Sequence, residues 1–76
     1  MLMLSLSIGE AYEDGYGVLE DKMKAYAWFN IAQANGKHGA KGHKAGVAIG
    51  MTPMNITESQ KLSQEMVKAN PKLLGD

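Results

Sequence analysis

Residues 8–36, IGEAYEDGYGVLEDKMKAYAWFNIAQANG, constrain this chain more than any other stretch. Ile8, Ala11 and Tyr12 fall at helical spacing, with Leu4 one turn earlier, while Glu10, Glu13 and Asp14 lie off that stripe. Gly15-Tyr16-Gly17 then predicts a stop, because glycine reaches left-handed backbone angles at no steric cost just past a helix end. Asp21 has the chemistry of an N-cap, since its carboxylate can accept from free backbone N–H groups. A second helix is expected over residues 22–34, with Ala25, Trp28, Phe29 and Ala32 on its apolar face and Asn35-Gly36 as its stop. Two helices joined by so short a turn run antiparallel. Gly9 and Ala25 supply small side chains where a close pair needs them.

The order Ile8-Gly9, Tyr12, Gly15, Gly17-Val18, Asp21, Lys24-Ala25, Trp28, Ala32, Gly36 resembles the Sel-one-like repeat, a relative of the tetratricopeptide repeat. Nearly every position of that pattern is met without a gap. Gln33 departs from it, where the family usually has a second alanine, and Ile8 stands in place of leucine. The resemblance implies an all-α fold, an α–α superhelix of about four short helices. It implies a protein–protein interaction module and implies no catalysis. Tyr12 and Trp28 match its core positions, so packing is their expected role.

The flanking segments carry less information. Residues 1–7, MLMLSLS, are apolar but have no basic start and no cleavage site, so they are not read as a signal peptide. They read as the first turns of the first helix, although the alternation of Leu2, Leu4 and Leu6 is also compatible with a short strand. Residues 37–51, KHGAKGHKAGVAIGM, look like the first helix of a second unit or a terminal cap. Ala40, Val47 and Met51 fit an apolar stripe, with His43 among them. Gly42, Gly46 and Gly50 recur every four residues, and each interior glycine costs a helix about 1 kcal/mol relative to alanine. This ridge reads either as a close helix seam, within the chain or between chains, together with His43, or as a frayed segment. Thr52-Pro53 opens a capping helix over residues 52–70, Thr52 as N-cap and Pro53 at the first helical position. Its apolar face runs through Ile56, Ser59, Leu62, Ser63, Met66 and Val67, and Asn70-Pro71 ends it. Residues 71–76 read as a loose tail. The run from Met51 also resembles the helix that often closes bacterial Sel-one-like proteins.

The chain has 76 residues, enough for one small domain with a limited core. A hydrophobic fraction of 45% argues against disorder. Without cysteine there is no disulfide framework and no thiol nucleophile, which fits a reducing compartment such as the cytoplasm. No run approaches the roughly 20 apolar residues that a membrane span needs. Net charge is zero, but its distribution is uneven. Residues 1–35 hold five acids against Lys22 and Lys24, and residues 36–76 hold six lysines against Glu58, Glu65 and Asp76.

Candidate chemistry is sparse. His38 and His43 are five apart, a poor spacing for two ligands on one helical face, and neither has an acid or cysteine close in sequence, so no metal or cofactor is expected. Glu10, Glu13 and Asp14 read as a solvated face rather than paired catalytic acids. The serines have no recognisable base or nucleophile elbow. Lys37, Lys41 and Lys44 form the best anion site. With no arginine in the chain and no aromatic interleaved, they fit nucleic acid poorly. Tyr16, Tyr26, Phe29 and Asn30 form the expected contact surface for another protein. One repeat plus a cap should leave apolar surface uncovered, so self-association is expected, as a homodimer or a helix swap. The expected function is a helical adaptor, scaffold or inhibitor. The alternatives are an anion or nucleic-acid binder and, less favoured, a hydrolase.

Overall fold

A computed structural model of the protein describes residues 4–13 and 19–75. Four helices follow one another: α1 (Leu4–Glu13), α2 (Leu19–Ala34), α3 (Ala40–Ala48) and α4 (Pro53–Ala69). A 3₁₀ turn (Pro71–Gly75) closes the chain. The fold is all-α, with no strand among the described residues. The N-terminal leucines that are described therefore belong to helix.

The second helix is the hub. It packs against α1, α3 and α4, whereas α1 and α3 meet only briefly. A helix enclosed on three sides must be apolar around most of its circumference. That requirement explains residues 25–32, AYAWFNIA: Ala25, Tyr26, Ala27, Phe29, Ile31 and Ala32 are all buried. The single stripe expected from the sequence is too narrow. Phe29, fully buried, is the centre of the core, and Trp28 on the expected stripe is only half-buried. On α1 the inward face is Ser5, Leu6 and Gly9, with Tyr12 packed at its edge, and Ala11 faces out. Gly9 lies against Phe29: a Cβ placed there would stand 2.7 Å from two ring carbons. The missing side chain is what lets α1 reach the hub.

The helix boundaries have local causes. The second helix begins at Leu19 rather than at residue 22, so Asp21 is not its N-cap. It sits in the first turn beside Glu20, where both carboxylates complement the positive end of the helix dipole. Gly15, Tyr16, Gly17 and Val18 fall outside the described residues. At the other end Gly36 takes φ 74°. The Lys37 N–H donates to the Ala32 carbonyl and the Gly36 N–H to the Gln33 carbonyl, each at 3.0 Å. These two bonds form a Schellman motif, which satisfies carbonyls that would otherwise be orphaned. Thr52 caps α4 as expected: its Oγ1 accepts from the Asn55 N–H at 3.1 Å, and Asn55 Oδ1 accepts from the Thr52 N–H at 3.2 Å. The expected loose tail is partly tied down, because Asn35 Nδ2 donates to the Leu73 carbonyl at 2.7 Å.

The glycine-rich segment forms a regular helix, held by packing rather than propensity. Ala40 and Val47 are buried against α2, and His43 stacks on Phe29 with ring centroids 5.0 Å apart. A Cβ at Gly42 would meet nothing within 4 Å, one at Gly46 would stand 3.9 Å from Glu13 Oε2, and Gly50, past the end of the helix, lies beside the Lys22 side chain. No backbone of another helix comes within 4 Å of a Cβ at Gly42 or Gly46. The residues at 40, 43, 44 and 47 face the core, and Gly42 and Gly46 fall on a flank of the same helix.

Candidate functional site

Asn30 projects from the hub helix between α3 and α4. Its Oδ1 accepts a hydrogen bond from Lys44 Nζ of α3 at 3.1 Å, and its Nδ2 donates to Ser63 Oγ of α4 at 2.8 Å. The Ser63 hydroxyl in turn donates to the Gln60 carbonyl at 2.7 Å. The donors run in one direction, from lysine to amide to hydroxyl to backbone, so each bond leaves the next donor in place. Ser63 is buried and Asn30 half-buried, and these bonds are what make a polar pair tolerable there. Small residues at Ser59 and Ser63 also let α4 lie close to α2, and Ser59 spends its hydroxyl proton on the Asn55 carbonyl.

An open cleft of about 310 Å³ begins at this polar pair. It is lined by Asn30, Ile31 and Ala34 of α2, by Ser63, Gln64 and Val67 of α4, and by Leu74 of the 3₁₀ turn. Ile31 and Ser63 form its floor, and Leu74 stands half-exposed at its rim. The walls are mainly aliphatic, the polar groups converge at the Asn30 end, and no carboxylate lines it. Lys44 stands behind Asn30, with its ammonium 5.6 Å from the centre of the Tyr26 ring. Burial, and then the nearby charge of Lys41, hold its proton affinity below the ordinary lysine value. No described carboxylate lies within ion-pair distance of it.

A second cluster gathers around His43. Its Nδ1 lies 2.8 Å from Glu13 Oε1 and its Nε2 3.3 Å from Glu10 Oε2. The two acids lie thirty or more residues upstream in the chain, which is why no neighbour was expected for this histidine. Only the imidazolium can donate to both carboxylates; the neutral ring donates to one. The carboxylates approach opposite ring nitrogens, so the three groups do not converge on one point. Among the described residues, no group of three histidine, cysteine or acidic side chains could hold a metal ion. The cluster instead ties α1 to α3 across the face of Phe29.

The expected contact surface is corrected in two of its four members. Tyr26 and Phe29 are buried, 7% and 0% exposed, and belong to the core. Tyr16 lies outside the described residues. Asn30 remains, as the polar hub of the cleft. Of the basic trio, Lys41 is exposed and Lys37 and Lys44 are half-exposed. Lys41 and Lys44 feel each other's charge, and Lys44 meets the cleft only through its bond to Asn30, which lines it. Val67 was read as part of an apolar helix face, and Ala34 and Leu74 had no distinguishing signal in the sequence, because a cleft depends on how two helices are spaced. Exposed apolar side chains elsewhere include Leu19, Ile49 at 89% and Met54 at 74%. No helix among the described residues is long and apolar enough to cross a membrane. No family model, curated protein or solved structure matches the chain.

Proposed function

We propose that the chain is a cytoplasmic protein-interaction module, a small α–α repeat unit of the Sel-one-like kind that works by contact and not by catalysis. The observation that carries this reading is the α2–α4 cleft. It offers an aliphatic trough with convergent polar groups at one end, open along its length, the form that receives side chains of a docked segment. The run of matched repeat positions in residues 8–36 supports the same class. The test is selection of a random peptide library on the immobilised protein. Peptides enriched on the native chain and lost on Val67→Arg support the reading. No enrichment, or enrichment indifferent to Val67→Arg, contradicts it.

A second reading, self-association, rests on a different surface. Gly42, Ala45, Gly46 and Ile49 share the outer face of α3 and are all exposed. Such a face lets a second copy approach closely. The chain exposes 4733 Å², close to the roughly 4,500 Å² expected of a folded monomer of 8.2 kDa. That area favours a dimer built on this face over one that completes a core. Sedimentation of Ile49→Asp beside the native chain tests it: a concentration-dependent dimer lost in the variant supports the reading, and a monomer in both ends it. The lysine trio supports an anion-binding alternative, which requires binding of a polyanion that weakens with salt.

A further inference from the structure

We infer that the α2–α4 cleft receives an acidic amphipathic segment of a partner protein, with an apolar side chain seated between Ala34 and Val67 and a carboxylate on Lys44. This rests on the interaction reading above and adds the chemical class of the partner.

Four observations converge on that class. The lining residues provide aliphatic wall from Ile31, Ala34, Val67 and Leu74 and contain no acid. Lys44, bonded to Asn30 at the end of the cleft, spends one donor on that neutral amide and has two left, with no described carboxylate as its partner. Other lysines neighbour these residues along the chain: Lys41 lies one turn from Lys44, Lys68 follows Val67, and Lys72 precedes Leu74 by two residues. Finally, Asn30 lines the cleft, and its bonds to Ser63 and Lys44 use only one of its two amide hydrogens. A segment carrying leucine-like and glutamate-like side chains one turn apart meets all of these features.

The occupant is a peptide rather than a small molecule because of the shape. A small-molecule site encloses most of its ligand. This cleft is a trough at the surface, floored by Ile31 and Ser63 and walled by two helices. The cation's cost points the same way. Burial lowers the proton affinity of Lys44, and its contacts in the empty protein are the neutral Asn30 amide and the Tyr26 ring rather than a carboxylate. A bound carboxylate reverses that penalty.

The test uses three short helical peptides, identical in their leucine face and carrying glutamate, glutamine or lysine on the other. Binding to the full chain is measured by calorimetry at low and high salt. The glutamate peptide is expected to bind about tenfold tighter than the glutamine peptide and to weaken with salt. Lys44→Met should remove most of that preference while leaving helicity intact. Ala34→Glu, at an exposed position, should reject the glutamate peptide and favour the lysine one. Equal binding of the glutamate and glutamine peptides, or a preference untouched by Lys44→Met and Ala34→Glu, overturns the acidic class and leaves the interaction module standing. If none of the three binds, both the class and the module reading fall.

Discussion

Replacing Gly9 by alanine sets two well-measured effects against each other. Alanine in place of an interior glycine favours the helix by about 1 kcal/mol. Here, however, the new methyl would lie 2.7 Å from Cδ1 and Cε1 of Phe29 and 3.2 Å from Cζ. Ordinary carbon contacts are about 3.5–4.0 Å, so ring or helix must yield by nearly 1 Å. The ring has no room to do so cheaply: Phe29 is fully buried and stacked on His43, which is itself held between Glu10 and Glu13. Overpacking of this kind costs about 1–3 kcal/mol, and the rigid surroundings place it at the upper end. The net effect is a loss of about 1–2 kcal/mol, a fall in the melting midpoint of about 5–15 °C for a domain of this size. Thermal and urea unfolding followed by far-UV circular dichroism measure it. A double-mutant cycle with Phe29→Leu isolates the cause, because the smaller side chain leaves space for the methyl and should shrink the cost of Gly9→Ala. If Gly9→Ala raises the midpoint to the same extent in both backgrounds, α1 does not pack on Phe29 and the reasoning fails.

The same assay separates the other glycines. Gly42→Ala, on the open face of α3 with nothing within 4 Å, should stabilise by about 1 kcal/mol, whereas Gly36→Ala, at φ 74°, should destabilise by about 1 kcal/mol or more. Thr52→Ala removes the hydroxyl that accepts from the Asn55 N–H, leaves the reciprocal bond from the Thr52 backbone N–H to Asn55 Oδ1, and should cost about 1 kcal/mol. His43→Ala strips a ring from the face of Phe29 and unties α1 from α3 where Glu10 and Glu13 hold the imidazole, so a loss of about 1 kcal/mol is expected, smaller in His43→Gln. For Lys44 the proton affinity is lower in the folded chain than the ordinary value of 10.5, so the unfolded chain binds more protons in the alkaline window just below that value. Stability therefore gains from raising the pH through this window. Lys44→Met removes the penalty at every pH, so its advantage over the native chain should be largest at neutral pH and shrink in alkali; an advantage that grows with pH would contradict the assignment.

How much of this could be read from residues alone differs by element. The caps were plain, because Thr52-Pro53 and Asn35-Gly36 act through their own side chains and backbone within a few residues. The helical class was plain for the same reason. The role of α2 was not: a single stripe describes a helix with one neighbour, and only the three-sided packing explains why Tyr26 and Ile31 are buried beside Phe29. The glycine ridge was visible as a pattern, but its direction was set by which face of α3 carries Ala40 and Val47. Asn30 stood among the expected contact residues, yet its partners Lys44 and Ser63 come from two other helices. His43 gained its acids in the same way, across a distance no local pattern spans. The start of α2 was misplaced because an acidic residue serves a helix equally well as a cap or inside the first turn.

A ¹⁵N NMR titration of the native chain with the glutamate-bearing peptide would fix both the location and the charge preference of the binding surface. The amide shifts are expected to cluster at Asn30, Ala34, Ser63 and Val67, to shrink with salt, and to need about tenfold more peptide in Lys44→Met. Shifts gathered instead on Gly42, Gly46 and Ile49, or no shifts at saturating peptide, would contradict this placement.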